Sequence, residues 1–201
     1  MLYVIGDSHQ HAFEGNPLFT LRGIGGATAY NLKNEHSTSN SNKKLFEIVN
    51  SIDKQKDTII LVVGETDCRI HIYYQYKKQQ EKIGLLKLVL YTVLSYGEVM
   101  KQLKRMGVKF VICGIPPAGW EPNLNHYPYY ATPELHAHIY YEFNALLKTY
   151  CLSYGYPYLD IYSKTVGPDG HIKPEYAEDQ VHLNLKAQPL LIEMLKEEGI
   201  L

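Results

Sequence analysis

Five short apolar runs punctuate this chain, at residues 2–5, 21–24, 58–63, 108–113 and 157–161. Each is apolar at most of its positions, as a strand covered on both faces has to be. Longer stretches with apolar residues three and four apart lie between and after them, at 42–53, 84–107, 132–155 and 184–199, and predict helices. The second is basic near its end and stopped by Gly107. The third opens with Thr132 as N-cap and Pro133 at the first helical position. In the fourth, Pro189 predicts a local kink or break.

Strands alternating with helices imply parallel strands, right-handed crossovers and helices on both faces. The expected fold class is therefore α/β, a three-layer α/β/α sandwich on a five-stranded parallel sheet, in one domain over residues 1–201. In such sheets the ligand site lies beyond the carboxyl ends of the strands. "GDSH" follows the first strand, "GGATAY" the second, "GETDCR" the third and "GIPPAGW" the fourth, so four polar loops should share one edge.

The chemistry those loops suggest starts with Ser8. A serine is a weak nucleophile unless a base takes its proton and a third group orients the base. In "YAEDQVHLN", Asp179 and His182 stand three residues apart, just before the last helix. One turn of chain brings the Asp179 carboxylate to one imidazole nitrogen and leaves the other free to reach Ser8. The Gly25–Gly26 pair lets a backbone N–H approach a substrate oxygen closely, as an oxyanion donor must.

These blocks resemble, in order and over nearly the whole chain, those of the SGNH/GDSL-type hydrolases. "VIGDSH" resembles the first block, whose serine is the nucleophile, and "RGIGGATA" the second, whose glycine donates a backbone N–H. "VVGETD" resembles the third block and "DQVHLN" the last, which carries the Asp and His. The resemblance implies a flavodoxin-like sandwich and ester hydrolysis, often of a small acyl group such as acetyl on a carbohydrate, although some relatives transfer the acyl group instead. It assigns catalysis to Ser8, Asp179 and His182 and an oxyanion contact to Gly26. The third block departs from the usual Gly-x-Asn-Asp. Thr66 stands where an asparagine donor is expected, and "GETDCR" resembles a GEIDCR-like variant of that block. Thr66, or Arg69 three residues on, would have to replace the missing donor.

Composition narrows the partners. The 201 residues carry 20 basic and 21 acidic side chains, a net charge of −1, which gives no electrostatic reason to expect nucleic acid or an anionic membrane. No apolar run is long enough to span a membrane, and a first strand beginning at Leu2 leaves no room for a signal segment, so a cytoplasmic location is expected. Three scattered cysteines fit neither a disulfide framework nor a zinc knuckle, and Cys113 reads as a small buried hydrophobe. No metal or organic cofactor is implied. Eighteen tyrosines against one tryptophan suit a sugar or another amphipathic ligand.

Two rival readings use the same residues. Asp7-x-His9 also resembles the opening of calcineurin-like metallophosphoesterases, but the later Gly-Asn-His-Glu and Gly-His-x-His blocks are absent, so a two-metal site lacks its ligands. A non-catalytic glycan-binding protein would use the tyrosines of 72–80 and 125–130, but binding alone has no need of Ser8, Asp179 and His182 together. Blander roles are expected elsewhere. Asp7 should cap the helix after the first strand or bond the "GGATA" loop, with His9 and His11 in the first helical turn. Arg69 could equally pair with Glu65 or Asp67. His136 and His138 should diverge, Cys68 lacks a partner histidine, and Asp160 should bond the backbone of "GPDG".

Overall fold

The computed structural model describes residues 1–120 and 127–201. Five parallel strands, β1 (Leu2–Gly6), β2 (Phe19–Gly23), β3 (Thr58–Val62), β4 (Lys109–Cys113) and β5 (Tyr158–Leu159), form one sheet in the order β2-β1-β3-β4-β5. Leu2 lies opposite both Phe19 and Thr58, and the pairing runs in step from there to Gly6, which faces Gly23 and Val62. This is the flavodoxin-like strand order, whose crevice opens where the chain reverses direction across the sheet, between β1 and β3.

Period-two alternation sends successive strand residues into two different cores. Ile5, Ile59, Leu61 and Ile112 pack against α1 (Ser41–Ser51), α3 (Leu85–Arg105) and α4 (Pro133–Ser153). Val4, Ile60, Val62 and Val111 pack against α6 (Gln188–Glu197) and the 3₁₀ turn Ser8–Phe13. Both faces are dry, which is why the runs read as uniformly apolar. Among the described residues, no helix is long and apolar enough to cross a membrane.

The long helices lie where the pattern places them, and α4 starts as expected, with the Leu135 N–H donating to Thr132 Oγ1. The edges differ from expectation for local reasons. β2 starts two residues early, because Phe19 turns inward and meets the Phe13 ring edge-on at 5.0 Å. β5 has two residues rather than five. Asp160 stops it by accepting the Ser163 N–H and opening a short helix, α5 (Ile161–Thr165). Its other carboxylate oxygen meets Lys148 Nζ at 2.8 Å, so it does not bond the "GPDG" backbone. The local break expected at Pro189 is present as a change of helix type just before it. A 3₁₀ turn, Leu185–Ala187, precedes α6, and Pro189 sits in the first turn of α6, where its missing N–H has no partner to lose. A helix absent from the sequence pattern, α2 (Ile72–Lys78), follows β3.

The exit from β3 is narrow. Gly64 has φ +132°, and a Cβ there would lie 2.5 Å from Cζ of Phe143 in α4. Gly64→Ala combines a backbone conformation foreign to L-residues with overpacking, and should cost about 2–4 kcal/mol. Urea denaturation measures it; a loss below about 0.5 kcal/mol, the scale of a surface substitution, would mean that α4 can retreat.

Candidate active site

β1 delivers its chain to the sheet edge at Gly6, and Asp7 turns it. Asp7 Oδ1 accepts the His9 N–H at 3.0 Å and caps the 3₁₀ turn, leaving Ser8 exposed at its first position. Burial raises the Asp7 carboxyl above its ordinary value, against the lowering influence of His9. The second element is the loop before α6. Asp179 Oδ1 accepts the N–H groups of Val181 at 2.7 Å and His182 at 2.6 Å, so the chain folds over its own carboxylate. The Glu178 N–H to His182 carbonyl bond, 2.9 Å, closes that loop.

The loop brings His182 Nδ1 to 2.8 Å from Asp179 Oδ2 and His182 Nε2 to 2.8 Å from Ser8 Oγ. With the proton on Nδ1, the imidazole donates to Asp179 and accepts from the Ser8 hydroxyl, which is the arrangement a general base needs. Burial pushes the Asp179 carboxyl up, but the His182 and Val181 hydrogen bonds outweigh it, and the group titrates below its usual value. The fold thus joins residues 174 positions apart.

Behind the imidazole lies a buried polar cluster of which the sequence suggested only the Arg69–Glu65 pair. The His9 ring packs against the His182 ring, centroids 4.8 Å apart and planes tilted by 31°. His9 Nε2 faces Glu65 Oε2 at 3.4 Å, and Glu65 Oε1 accepts from Arg69 Nε at 2.8 Å and from the Tyr140 hydroxyl at 2.6 Å. His9 and Glu65 are almost wholly buried. Burial lowers the His9 imidazole and raises the Glu65 carboxyl, but their mutual attraction, with Arg69 and Tyr140 added on the Glu65 side, reverses both. Arg69 therefore has its pairing with Glu65, one of the two blander roles. Its terminal nitrogens bond no described residue, and its side chain keeps 23% exposure. Asp7 and His9, the pair that resembles a metal-ligand opening, both turn into this cluster.

The "GGATA" loop lies beside the edge of β2. Among the described residues nothing accepts the N–H of Gly26 or of Ser8, and Gly26 is exposed. The loop is held by Asp67, not by Asp7: Asp67 Oδ2 accepts the Ala29 N–H at 2.6 Å and Oδ1 the Tyr30 N–H at 3.2 Å. Thr66 is half-buried and its hydroxyl caps nothing. A cavity of about 570 Å³ opens next to Gly26, lined among others by Ile72, Leu88, Tyr91, Asn31, Gln75 and Gln79.

Several remaining residues have structural roles. His136 is buried and donates through Nε2 to the Arg69 carbonyl at 2.8 Å, whereas His138 faces outward, so the two diverge as expected. Cys68 and Cys113 are buried, and burial pushes both thiols up. Of the tyrosines in 72–80, Tyr73 and Tyr76 pack against the core, and Tyr74 meets Tyr129 at 6.0 Å, so none lines the cavity. Residues 125 and 126 of the second tyrosine stretch lie outside the described residues.

Burial raises the Asp67 carboxyl to about 7 despite the two N–H groups bonded to it. Unfolded, the group ionises near 3.8, so its ionisation costs folding stability progressively as pH climbs from there to about 7. Asp67→Asn cannot ionise. Relative to the native chain it should gain stability across that interval and then level off, and denaturant midpoints at stepped pH read this directly. A difference that stays flat would show that the carboxyl is not perturbed.

No family model matches the chain, and no curated protein matches it. Solved structures do. A GDSL-like lipase from Bacteroides thetaiotaomicron superposes with a TM-score of 0.61 at 17% identity, covering 100% of this chain and 88% of its own. A member of the lipolytic protein G-D-S-L family from Veillonella parvula gives 0.60 at 13%, covering 98% and 96%. An acetyl xylan esterase gives 0.59 at 14%, covering 98% of each chain. At such identities the likeness is one of architecture, and the chain has the three-layer α/β/α fold of the SGNH/GDSL-type hydrolases.

Proposed function

We propose that this protein is a serine esterase of the SGNH type, hydrolysing a small acyl ester, acetyl being the simplest, carried on a carbohydrate. The observation that carries this reading is the unbroken hydrogen-bond chain from exposed Ser8 Oγ through His182 to Asp179. Ser8 Oγ attacks the ester carbonyl carbon as its proton passes to His182 Nε2. Asp179 holds the Nδ1 tautomer and stabilises the imidazolium. The oxyanion is received by the N–H groups of Ser8 and Gly26, with Thr66 or Arg69 as the further donor. When the tetrahedral intermediate collapses, the ester C–O bond breaks and His182 gives its proton to the departing alcohol. Water, deprotonated by His182, then attacks the acyl-Ser8 carbonyl and frees the acid.

The small acyl group is supported by the cavity beside Gly26. Seven neutral polar side chains interrupt its wall: Thr28, Asn31, Thr38, Ser39, Gln75, Gln79 and Thr92. A long alkyl chain there would strip water from them at about 1–3 kcal/mol for each group left unpaired. The carbohydrate is supported by the resemblance, since SGNH/GDSL-type hydrolases often remove acetyl groups from sugars. It is also in keeping with the acetyl xylan esterase that shares the fold.

Ser8→Ala and His182→Ala should each lower kcat about a millionfold, and Asp179→Ala about ten-thousandfold, with folding unchanged. Mass spectrometry after fluorophosphonate treatment should find one adduct on Ser8 that needs His182; a folded protein without it refutes the mechanism. Thr66→Asn should restore a side-chain donor of the kind whose loss costs about 2.7–4 kcal/mol, and so raise kcat at least tenfold. An unchanged kcat would place position 66 outside the oxyanion hole.

A further inference from the structure

The segment after β4 carries the chain's only tryptophan, Trp120, and its setting points outward from the hydrolytic chemistry to the alcohol half of the substrate. Gly119 is pressed against the loop that carries Asp179 and His182: a Cβ there would lie 2.1 Å from the Gln180 carbonyl oxygen. Ala118, one residue earlier, accepts the Ile172 N–H at 2.9 Å. Trp120 is thus fixed beside the histidine loop by two backbone contacts. Its indole stacks on the His171 imidazole, centroids 4.0 Å apart and planes within 12°. His171 is buried, and its own N–H is tied to Asp169 Oδ1 at 2.9 Å. The indole is therefore a backed, rigid plate, yet Trp120 keeps 47% exposure.

Its position assigns the half of the substrate that it meets. His182 must protonate the leaving oxygen, so the alcohol departs on the His182 side of Ser8, while the oxyanion faces Gly26. Trp120 follows Gly119, which adjoins the histidine loop, and this neighbourhood assigns it to the leaving-group side. A flat apolar face at a wet surface suits a ligand with one apolar and one polar aspect. A pyranose is such a ligand: its axial C–H bonds meet the ring face while its hydroxyls stay solvated or reach the half-exposed Asp169 carboxylate. We propose that the exposed indole of Trp120 is the stacking platform for the sugar ring that leaves as the alcohol. This rests on the esterase reading above and makes Trp120 its specificity-determining residue.

Because Trp120 is the sole tryptophan, its own emission reports occupancy. In the full-length Ser8→Ala protein, titration with acetylated xylo-oligosaccharides and acetylated hexoses should change the emission saturably, and methyl acetate should not. In the active protein, Trp120→Ala should raise KM for the sugar acetates about tenfold, leave their kcat nearly unchanged, and alter kcat/KM for methyl acetate by less than about twofold. Trp120→Phe, which keeps a ring, should recover most of the sugar KM. Emission unmoved by every acetylated sugar overturns the platform whatever the activity data say. So does an equal loss on sugar and methyl esters, which is the mark of a structural role, or a Trp120 dependence seen with phenyl acetate and with no sugar. Failure of Ser8 to label, by contrast, bears on the hydrolase reading and leaves the emission test standing.

Discussion

The carboxylate of Glu65 is buried away from solvent, and the carboxyl edge of the sheet is arranged around that fact. An isolated buried charge is untenable, so the fold surrounds it with partners from three directions. His9 comes from the turn after β1, Arg69 from the helical turn that Glu65 itself precedes, and Tyr140 from α4. α4 closes the circuit a second time, where His136 bonds the Arg69 carbonyl. Removing one partner of such a buried set typically costs about 3–5 kcal/mol, because the remaining charge is stranded. The interior that fastens α4 to the sheet therefore also supports the His182 ring, through His9.

Rigidity on that side contrasts with the other flank of Ser8. The "GGATA" loop is held by the carboxyl of Asp67 and by the burial of Ala27 and Ala29, and the groups around the adjoining cavity are uncharged hydroxyls, amides and aliphatic chains apart from Asp67 and His71. One flank is a charged lattice packed behind His182, and the other is a surface of mostly neutral groups. The two flanks share the loop after β3, which sends Glu65 and Arg69 to one and Asp67 to the other.

What could be read from residues alone depended on how local each interaction is. Asp179 and His182 were legible because three residues of chain suffice to fold a carboxylate onto an imidazole. Ser8 was legible because a polar triplet ended an apolar run. The Arg69–Glu65 pair was recoverable from its spacing of four. Tyr140, 75 positions from Glu65, carries no local mark, and neither does the contact of His9 with His182. Asp67 was legible only as an alternative partner for Arg69, because its role lies with the backbone of Ala29 and Tyr30, 38 and 37 positions away. The uniformly apolar strands were clear, since burial on both faces leaves no other composition, while the ends of β2 and β5 were not. Phe19 and Asp160 set those ends through tertiary packing and a helix cap.

The turn Asp67–His71 is wound as a π-helix, with the Ile72 N–H bonded to the Asp67 carbonyl five residues back. A π turn amounts to one residue more than an α-helix would use over the same span. That supernumerary residue acts as a phase shifter for everything after it. Each residue in an α-helix advances the azimuth by about 100°. Were the turn to relax to α by losing one residue, α2 would rotate by that angle about its own axis. Ile72, Gln75 and Gln79, which now share the stripe toward the cavity, would swing away together, and tyrosines that now serve the core would take their place. The width and polarity of the cavity are in this sense encoded as an azimuth, set one turn upstream of the residues that line it.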